Sequence, residues 1–253
     1  MKKRLIFTLL YEKGSFVLSR NFRTQKIGDV RWLGSHYNFE KVARFIDELI
    51  LINISADSSF DEHFRETLSE VVSGVFVPVA AGGGVRTIDD ATSLFKFGAD
   101  KILVNRAIFQ DPVLVSTLSR RFGQQAVVGS VDVRRTGSDF QVYTDKGTQV
   151  QPADRLGELV SQGHLGELYL NSIDRDGTGQ GMDPGIAEIV DNSFQVPLIL
   201  AGGAGKPEHL LNAITLPYVN AVATANLLNF VGDGLRKTRE SIVNAGVELA
   251  QWD

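Results

Sequence analysis

The feature that most constrains the fold is an internal repeat at one constant offset, close to half the chain length. The run Glu48-Leu-Ile-Leu-Ile-Asn-Ile54 is matched by Glu167-Leu-Tyr-Leu-Asn-Ser-Ile173, and Gly83-Gly84 by Gly202-Gly203. Each run is a short apolar segment with polar residues at its end, which is typical of a parallel strand that leads into a binding loop. A unit this long is too large for a solenoid repeat. The pattern predicts an α/β fold in which two half-barrels, each of four strand–helix units, close into a single (β/α)8 TIM barrel.

The chain length agrees with one such barrel. The chain has 253 residues and a TIM barrel typically has ~250, so we expect a single domain over residues 1–253. The alternative is two tandem doubly wound domains, but no linker-like segment separates the halves. Hairpins are expected after the first and fifth strands. Helices are expected between the strands, among them one over residues 38–46 and one over Asp154–Ser161. The predicted barrel strands cover residues 4–10, 49–54, 76–81, 101–105, 126–132, 168–171, 198–201 and 221–225.

Composition excludes several classes of function. The net charge is −4 and acidic and basic residues are mixed along the chain, so nothing suggests a nucleic-acid-binding surface. No signal peptide is recognisable and no apolar run approaches the ~18 residues of a membrane span, so we expect a cytoplasmic protein without membrane contact. The absence of cysteine excludes disulfides and a thiol nucleophile. The four histidines show no metal-ligand spacing, and we expect neither a metal nor another cofactor.

Glycine-rich turns follow the third and seventh predicted strands. They are Gly82–Gly84 and the stretch from Gly202 to Gly205. Turns of this kind let backbone N–H groups approach an anion closely. Because the carboxyl ends of parallel barrel strands share one face, the turns predict a phosphate-binding face there.

Four motifs then carry a resemblance over nearly the whole chain. They are Gly98-Ala-Asp-Lys101, Ser130-Val-Asp-Val-Arg-Arg135, Asn171-Ser-Ile-Asp-Arg-Asp-Gly177 and Ala201-Gly-Gly-Ala-Gly-Lys-Pro-Glu-His209. With them the chain resembles the HisF family, the cyclase subunit of imidazole glycerol phosphate synthase. The resemblance implies a HisH-type glutaminase partner at the bottom of the barrel and passage of its ammonia through the barrel centre. It also implies a lyase and ring-closing reaction at the top, on a small molecule with two phosphates.

The same resemblance implies a gate for ammonia at the barrel entrance, formed by Arg4, Glu48, Lys101 and Glu167. Two pairs of opposite charge satisfy each other when closed, and a small neutral molecule can pass when one side chain moves. The alternative is a layer that only seals the barrel bottom. Apolar residues would seal it better, because buried ion pairs are weak stabilisers. Asp100 lies where the family contacts its glutaminase.

At the top of the barrel, the resemblance implies a pair of catalytic aspartates of which one is missing. Asp132 matches one member, a general acid or base, but the position that ends the first strand is Leu10, and leucine cannot move a proton. Leu18 replaces the lysine usual on the return strand, and Asn171 replaces a threonine. In a rearranged site, Asp132 and Asp176 would carry the chemistry.

The substrate phosphates are expected at turns and strand ends around the top of the barrel. Arg106 adds a cation there whose planar fork suits phosphate or carboxylate. The alternative for Arg106 is a salt bridge to Asp111 or Asp132. The expected phosphate-binding residues are Gly82, Gly83, Gly84, Asn105, Arg106, Gly177, Gly202, Gly203 and Asn226.

These expectations leave three functional hypotheses. The favoured one is an ammonia-conducting subunit that resembles the divergent HisF-like branch found with surface-polysaccharide (lipopolysaccharide) genes. There a third enzyme uses the ammonia to convert an acetamido sugar into an acetamidino sugar, and leucine likewise replaces the first-strand aspartate, as at Leu10. The others are an active cyclase of histidine biosynthesis and a non-catalytic, phosphate-binding subunit that activates the glutaminase. A fourth possibility is an isomerase of the related HisA type. It too needs an acid at the end of the first strand, so Leu10 argues against it.

Overall fold

A computed structural model describes residues 2–37, 43–55, 62–190, 196–226 and 233–250. Its strands are β1 (Arg4–Glu12), β2 (Ser15–Arg20), β3 (Arg23–Gly28), β4 (Glu48–Asn53), β5 (Val79–Gly82), β6 (Lys101–Val104), β7 (Val127–Thr136), β8 (Asp139–Thr144), β9 (Gln149–Gln151), β10 (Glu167–Ser172), β11 (Leu198–Ala201) and β12 (Val219–Thr224). Its helices are α1 (Val30–Tyr37), α2 (Glu62–Ser73), α3 (Ile88–Lys96), α4 (Arg106–Gln110), α5 (Pro112–Phe122), α6 (Asp154–Ser161), α7 (Pro207–Ile214) and α8 (Gly234–Asn244), with a 3₁₀ helix over Pro184–Ile189.

Eight parallel strands within the described residues close into a barrel. Their order is β1, β4, β5, β6, β7, β10, β11 and β12, and β12 pairs back onto β1. Helices follow most of these strands and pack around the ring. The predicted single (β/α)8 TIM barrel is therefore confirmed.

The strands of the two halves repeat as the sequence indicates. β4 and β10 begin and end at the offset that separates Glu48 from Glu167. β5 and β11 are related by the same offset. An antiparallel strand also follows the first strand of each half, β2 after β1 and β8 after β7.

Alternation along the strands separates two cores. Leu5, Phe7 and Leu9 on β1 face outward into the large core beneath the helices, whereas Ile6 faces the barrel lumen. Successive side chains of a strand point to opposite faces, so each barrel strand supplies both cores. The lumen cluster consists of Ile6, Ile50, Ala80, Leu103, Val128, Tyr169, Ile199, Ala201, Ala221 and Ala223.

The hairpins at the top are larger than the sequence predicts. β1 extends to Glu12 and β7 to Thr136, so that each turns directly into an antiparallel partner. β3 was not predicted, because the run Arg23–Gly28 is mostly polar and exposed and has no apolar alternation. Most of the helix predicted over residues 38–46 lies outside the described residues. The β2–β3 and β8–β9 hairpins both contact the upper end of the barrel, where Asn21 N–H donates to the Asp176 carbonyl and Lys146 pairs with Glu12.

Candidate functional site

Four charged side chains meet at the lower mouth of the barrel, where β1, β4, β6 and β10 begin. The Arg4 guanidinium donates to Glu48 Oε2 at 2.5 Å and to Glu167 Oε2 at 2.8 Å. Lys101 Nζ donates to both Glu48 oxygens at 3.0 Å and to Glu167 Oε1 at 2.9 Å. Each cation therefore bridges both carboxylates. We call these four residues the entrance ring; with two cations and two anions it carries no net formal charge.

In the entrance ring, burial and ion pairing have opposite effects on the pKa values of the two carboxyl groups. The Glu48 side chain is 2% exposed and that of Glu167 12%, against 17% for Arg4 and 18% for Lys101. Burial raises the pKa of Glu48 even though Lys101 and Arg4 counteract it. Burial also acts to raise the pKa of Glu167, but Arg4 and Lys101 outweigh it and hold that pKa below its usual value. The carboxylates thus depend on the cations to remain charged in this position.

Asp100 lies beside the ring and is exposed, as expected for a residue that contacts a partner. Its Oδ2 accepts a hydrogen bond from the backbone N–H of Val79 at 2.8 Å, at the start of β5. On the same end of the barrel, Phe76 is 93% exposed. Asp100 therefore has a structural role at a strand start, and the partner contact stays a prediction.

A hydroxyl pair lies inside the lumen above the ring. The phenol oxygen of Tyr169 is 3.4 Å from Thr8 Oγ1, and both side chains are buried. Sequence reasoning did not single out either residue. The sequence did hold one indication of this pair, because the internal repeat places the aromatic Tyr169 of β10 where β4 has Ile50.

The carboxylate of Asp132 lies at the upper mouth, held between two amides. Asn171 Nδ2 donates to its Oδ1 at 3.2 Å and Asn105 Nδ2 donates to its Oδ2 at 3.3 Å. Burial raises the pKa of Asp132 to about 6, with a further contribution from the charge of Asp176, while the two amides lower it. A carboxyl group with such a pKa can take up and release protons near neutral pH. The Asn105 amide, which also donates to the Ser130 carbonyl at 2.9 Å, is thus directed at Asp132, and its phosphate contact stays a prediction.

Asp176, the other predicted catalytic residue, is tied to the β2–β3 hairpin. Its Oδ2 accepts from the Ser19 hydroxyl at 2.5 Å and from the Phe22 backbone N–H at 3.1 Å. Burial raises its pKa, and these two donors counteract the rise. A Cβ at Gly177, where φ is 64°, would overlap the Ser19 carbonyl oxygen. The hairpin and the Asp176-Gly177 turn therefore pack backbone to backbone.

Leu10 occupies the β1 side of the upper mouth. It continues the lumen-facing alternation of Arg4, Ile6 and Thr8 and is half-buried, in register with Ile52 on β4. Leu18 lies among the half-buried side chains that pack against the large core. At this position Leu10 therefore offers the mouth a hydrocarbon side chain, which can neither donate nor accept a proton.

The glycine turns adopt backbone conformations that suit close approach. Gly83 has φ 96° and Gly203 has φ 93°, and a Cβ at either would overlap a neighbouring backbone carbonyl. Gly84, Gly177 and Gly202 also have positive φ, whereas Gly82 is not among the positive-φ residues. Asn226 follows β12 on the same face, where its N–H donates to Thr224 Oγ1 at 3.3 Å. The phosphate assignments of these residues stay predictions.

Arg106 forms an ion pair that the sequence did not predict. Its partner is Asp145 in the turn between β8 and β9. The two partners weighed from the sequence are wrong: Asp111 instead caps α5 through the Leu114 N–H at 3.0 Å, and Asp132 lies between its two amides. Lys146, in the same turn, lies 3.4 Å from Glu12 at the end of β1. Asp145 and Lys146 thus connect the β8–β9 turn to two places on the upper rim of the barrel, Arg106 and Glu12.

Within the described part of the chain, no group of three or more His, Asp or Glu side chains could hold a metal ion. No helix of that part is long and apolar enough to cross a bilayer.

Comparison with known proteins supplies the family. The family model described as "Histidine biosynthesis protein" matches residues 15–232. A relative from Parasynechococcus marenigrum, provisionally named imidazole glycerol phosphate synthase subunit hisF2, is 44% identical over 255 residues, which cover 99% of this chain and 94% of the relative. The chain belongs to the HisF family.

Two further HisF relatives match the full length with lower identity. The imidazole glycerol phosphate synthase subunit HisF of Chlorobaculum parvum is 37% identical over 98% of this chain and 99% of its own. That of Pelodictyon phaeoclathratiforme is 34% identical over the same shares. Within the HisF family, this chain is thus more similar to the hisF2 protein than to these two relatives.

Proposed function

We propose that this HisF-family chain is the synthase-type subunit of a glutamine amidotransferase, which receives ammonia from a HisH-type glutaminase and conducts it through the barrel. The observation that carries the proposal is the entrance ring, a neutral, fully paired set of charges across the lower mouth. As a seal, such a ring is inferior to packed leucines, because desolvation offsets most of the attraction in a buried ion pair. As a gate it can open by the movement of one cation, since Arg4 and Lys101 keep 17% and 18% exposure.

The glutaminase docks on the lower face in this proposal. Asp100 lies next to Lys101 of the ring, and Phe76 offers a large exposed aromatic surface on the same end. Aromatic side chains are enriched at the centre of protein interfaces, and polar or charged side chains lie at the rim. The chain has no cysteine, so a thiol-dependent glutaminase activity has to come from a partner.

The upper mouth supports a role other than the histidine cyclisation. Leu10 stands where the second acid of the family lies, and loss of one member of an acid/base pair costs about 10²–10⁴ in rate. We therefore propose that the ammonia leaves for a third, cytoplasmic enzyme that amidinates an acetamido sugar. The higher identity to the hisF2 protein, 44% against 37% and 34%, supports a separate branch.

A second candidate is an active cyclase, favoured by the pKa of Asp132. A value of about 6, beside the carboxyl of Asp176, suits a general acid or base at neutral pH. In this candidate, Asp132 and Asp176 carry the proton transfers and Leu10 only shapes the pocket.

One experiment separates the two candidates without a glutaminase. The purified chain is incubated with the histidine-pathway substrate and concentrated ammonium salt in alkaline buffer, and loss of the substrate's absorbance is followed. We expect no turnover above background. Turnover that is abolished in Asp132→Asn would establish the cyclase and overturn the proposed function. An authentic HisF subunit, such as that of Chlorobaculum parvum, is the positive control.

A further inference from the structure

The side chain of Tyr169 spans the barrel lumen between two strands that are not neighbours. Tyr169 is on β10 and its hydroxyl reaches Thr8 on β1, while β11 and β12 lie between these strands in the ring. The lumen-facing residues of the two intervening strands include three alanines, Ala201, Ala221 and Ala223. These short side chains leave the space that the phenol ring occupies.

This crossing lies between the entrance ring and the upper mouth. Along the inner face of β10, Glu167 belongs to the ring, Tyr169 follows two residues later, and Asn171 holds Asp132 two residues after that. Alternate residues of a strand are about 6.6 Å apart. Much of the remaining lumen is hydrocarbon, from Ile6, Ile50, Leu103, Val128 and Ile199.

A polar molecule that follows the lumen meets an energetic barrier in that hydrocarbon layer. Moving a hydrogen-bonding group from water into apolar surroundings without a partner costs roughly 2–7 kcal/mol. A hydroxyl pair halfway along the path offers both donors and acceptors. The 3.4 Å separation of Tyr169 and Thr8 is longer than a strong O–H···O bond, so the pair can exchange its mutual contact for one with a third molecule.

We propose that Tyr169 and Thr8 form a hydroxyl relay, at which ammonia is hydrogen-bonded midway between the entrance ring and Asp132. The relay rests on the proposed ammonia conduction and names the residues that conduct. The phenol suits this task because burial raises the pKa of Tyr169, so that it remains neutral and is a poor proton donor to ammonia. A carboxylic acid at this place would protonate ammonia and trap it as a cation.

Nuclear magnetic resonance of the full chain tests the relay without a glutaminase or an acceptor. The protein carries ¹³C-labelled tyrosine, and the Cζ resonance of Tyr169 is assigned by its loss in Tyr169→Phe. Ammonium chloride is titrated in buffer held at the pKa of ammonium, where half of the probe is neutral ammonia. We expect the Tyr169 resonance to shift with ammonia concentration, while that of Tyr218, 44% exposed at the barrel surface, stays in place.

Three matched conditions give the shift its meaning. Potassium chloride at equal ionic strength, and ammonium chloride in mildly acidic buffer, should leave the Tyr169 resonance unmoved. Thr8→Val keeps the shape of Thr8 but removes its hydroxyl, and should at least halve the ammonia-dependent shift. A Tyr169 resonance that responds no more than Tyr218, or equally in Thr8→Val, overturns the relay.

The result is also separable from the fate of the proposed function. A chain that shows the Tyr169 shift but stimulates no HisH-type glutaminase would keep the ammonia site and overturn the amidotransferase role. A chain that stimulates the glutaminase without the shift would keep that role and remove Tyr169 and Thr8 from the conduit.

Discussion

The two mouths of the barrel differ in how their charges are used. At the lower mouth, Arg4, Glu48, Lys101 and Glu167 satisfy one another in a closed ring. At the upper mouth, the position of β1 beside Ile52 is held by Leu10, which carries no acid. Two acids lie there. Asp132 accepts hydrogen bonds from two amide side chains, and Asp176 accepts them from the β2–β3 hairpin. In the proposed function, the barrel uses its charged entrance for ammonia while its upper end differs from the family's acid pair.

The residues of the lower mouth and those of the upper mouth belong to different parts of the fold. The entrance ring is made only of residues that begin barrel strands, so the register of the barrel fixes their positions. The upper mouth also depends on segments inserted after strands, such as Ser19 in the first hairpin and Asp145 in the second. Loops after the strands vary without disturbing the barrel, which is how this fold hosts different reactions.

The largest effect is expected when the entrance ring is broken. Arg4→Met leaves Lys101 alone to compensate both carboxylates, one of them Glu48 at 2% exposure. Removing one partner of a buried pair typically costs about 3–5 kcal/mol in the free energy of unfolding. Urea unfolding measures the loss. The matched control is Arg155→Met, whose pair with Glu158 is 44% and 54% exposed and should contribute under about 1 kcal/mol; equal losses would mean that the ring is an ordinary surface cluster.

At the upper mouth, replacing Asp132 is expected to increase the free energy of unfolding, in contrast to the loss expected for the entrance ring. Its pKa is raised from 3.8 to about 6, so the folded chain binds more protons than the unfolded chain between these values, and stability falls as pH rises through them. Asp132→Asn removes this penalty and should increase the free energy of unfolding at alkaline pH by up to about 3 kcal/mol. The gain should disappear below the unfolded pKa. Denaturant curves at several pH values measure it, and a pH-independent difference would contradict the assignment.

A smaller effect is expected where the first hairpin meets the upper mouth. Gly177 and Gly137 both have φ 64°, but only a Cβ at Gly177 would overlap a neighbour, the Ser19 carbonyl. Gly137→Ala should cost about 1–2 kcal/mol from the backbone conformation alone. Gly177→Ala should cost at least about 1 kcal/mol more, because the hairpin has to move. Amide exchange of Phe22, whose N–H donates to Asp176, should accelerate only in Gly177→Ala.

The smallest effect is expected at the rim of the upper mouth. The ion pair between Arg106 and Asp145 is 48% and 22% exposed, so Arg106→Gln should change the free energy of unfolding by no more than about 1 kcal/mol. The difference should shrink further in high salt, which screens exposed pairs. Thermal unfolding at low and high salt measures it, and a large, salt-insensitive loss would show that the pair holds the second hairpin in place.

The sequence predicted the barrel well because its signals are local or repeated. The repeat predicted that β4 and β5 in the first half correspond to β10 and β11 in the second, and α6 begins and ends where the sequence predicts. The four members of the entrance ring came together because they begin strands. What the sequence did not predict depends on contacts between distant segments. Examples are Asp145 against Arg106, Ser19 against Asp176, and the crossing of the lumen by Tyr169.

The most direct test of the account uses one mixture. The chain, a HisH-type glutaminase, glutamine and the histidine-pathway substrate are combined, and glutamate formation and substrate absorbance are followed together. The account predicts that glutamate formation rises well above that of the glutaminase alone, because the lower mouth docks the partner. It also predicts that the substrate's absorbance is unchanged, because Leu10 leaves the upper mouth without its second acid. No rise in glutamate formation, or consumption of the substrate, would contradict it.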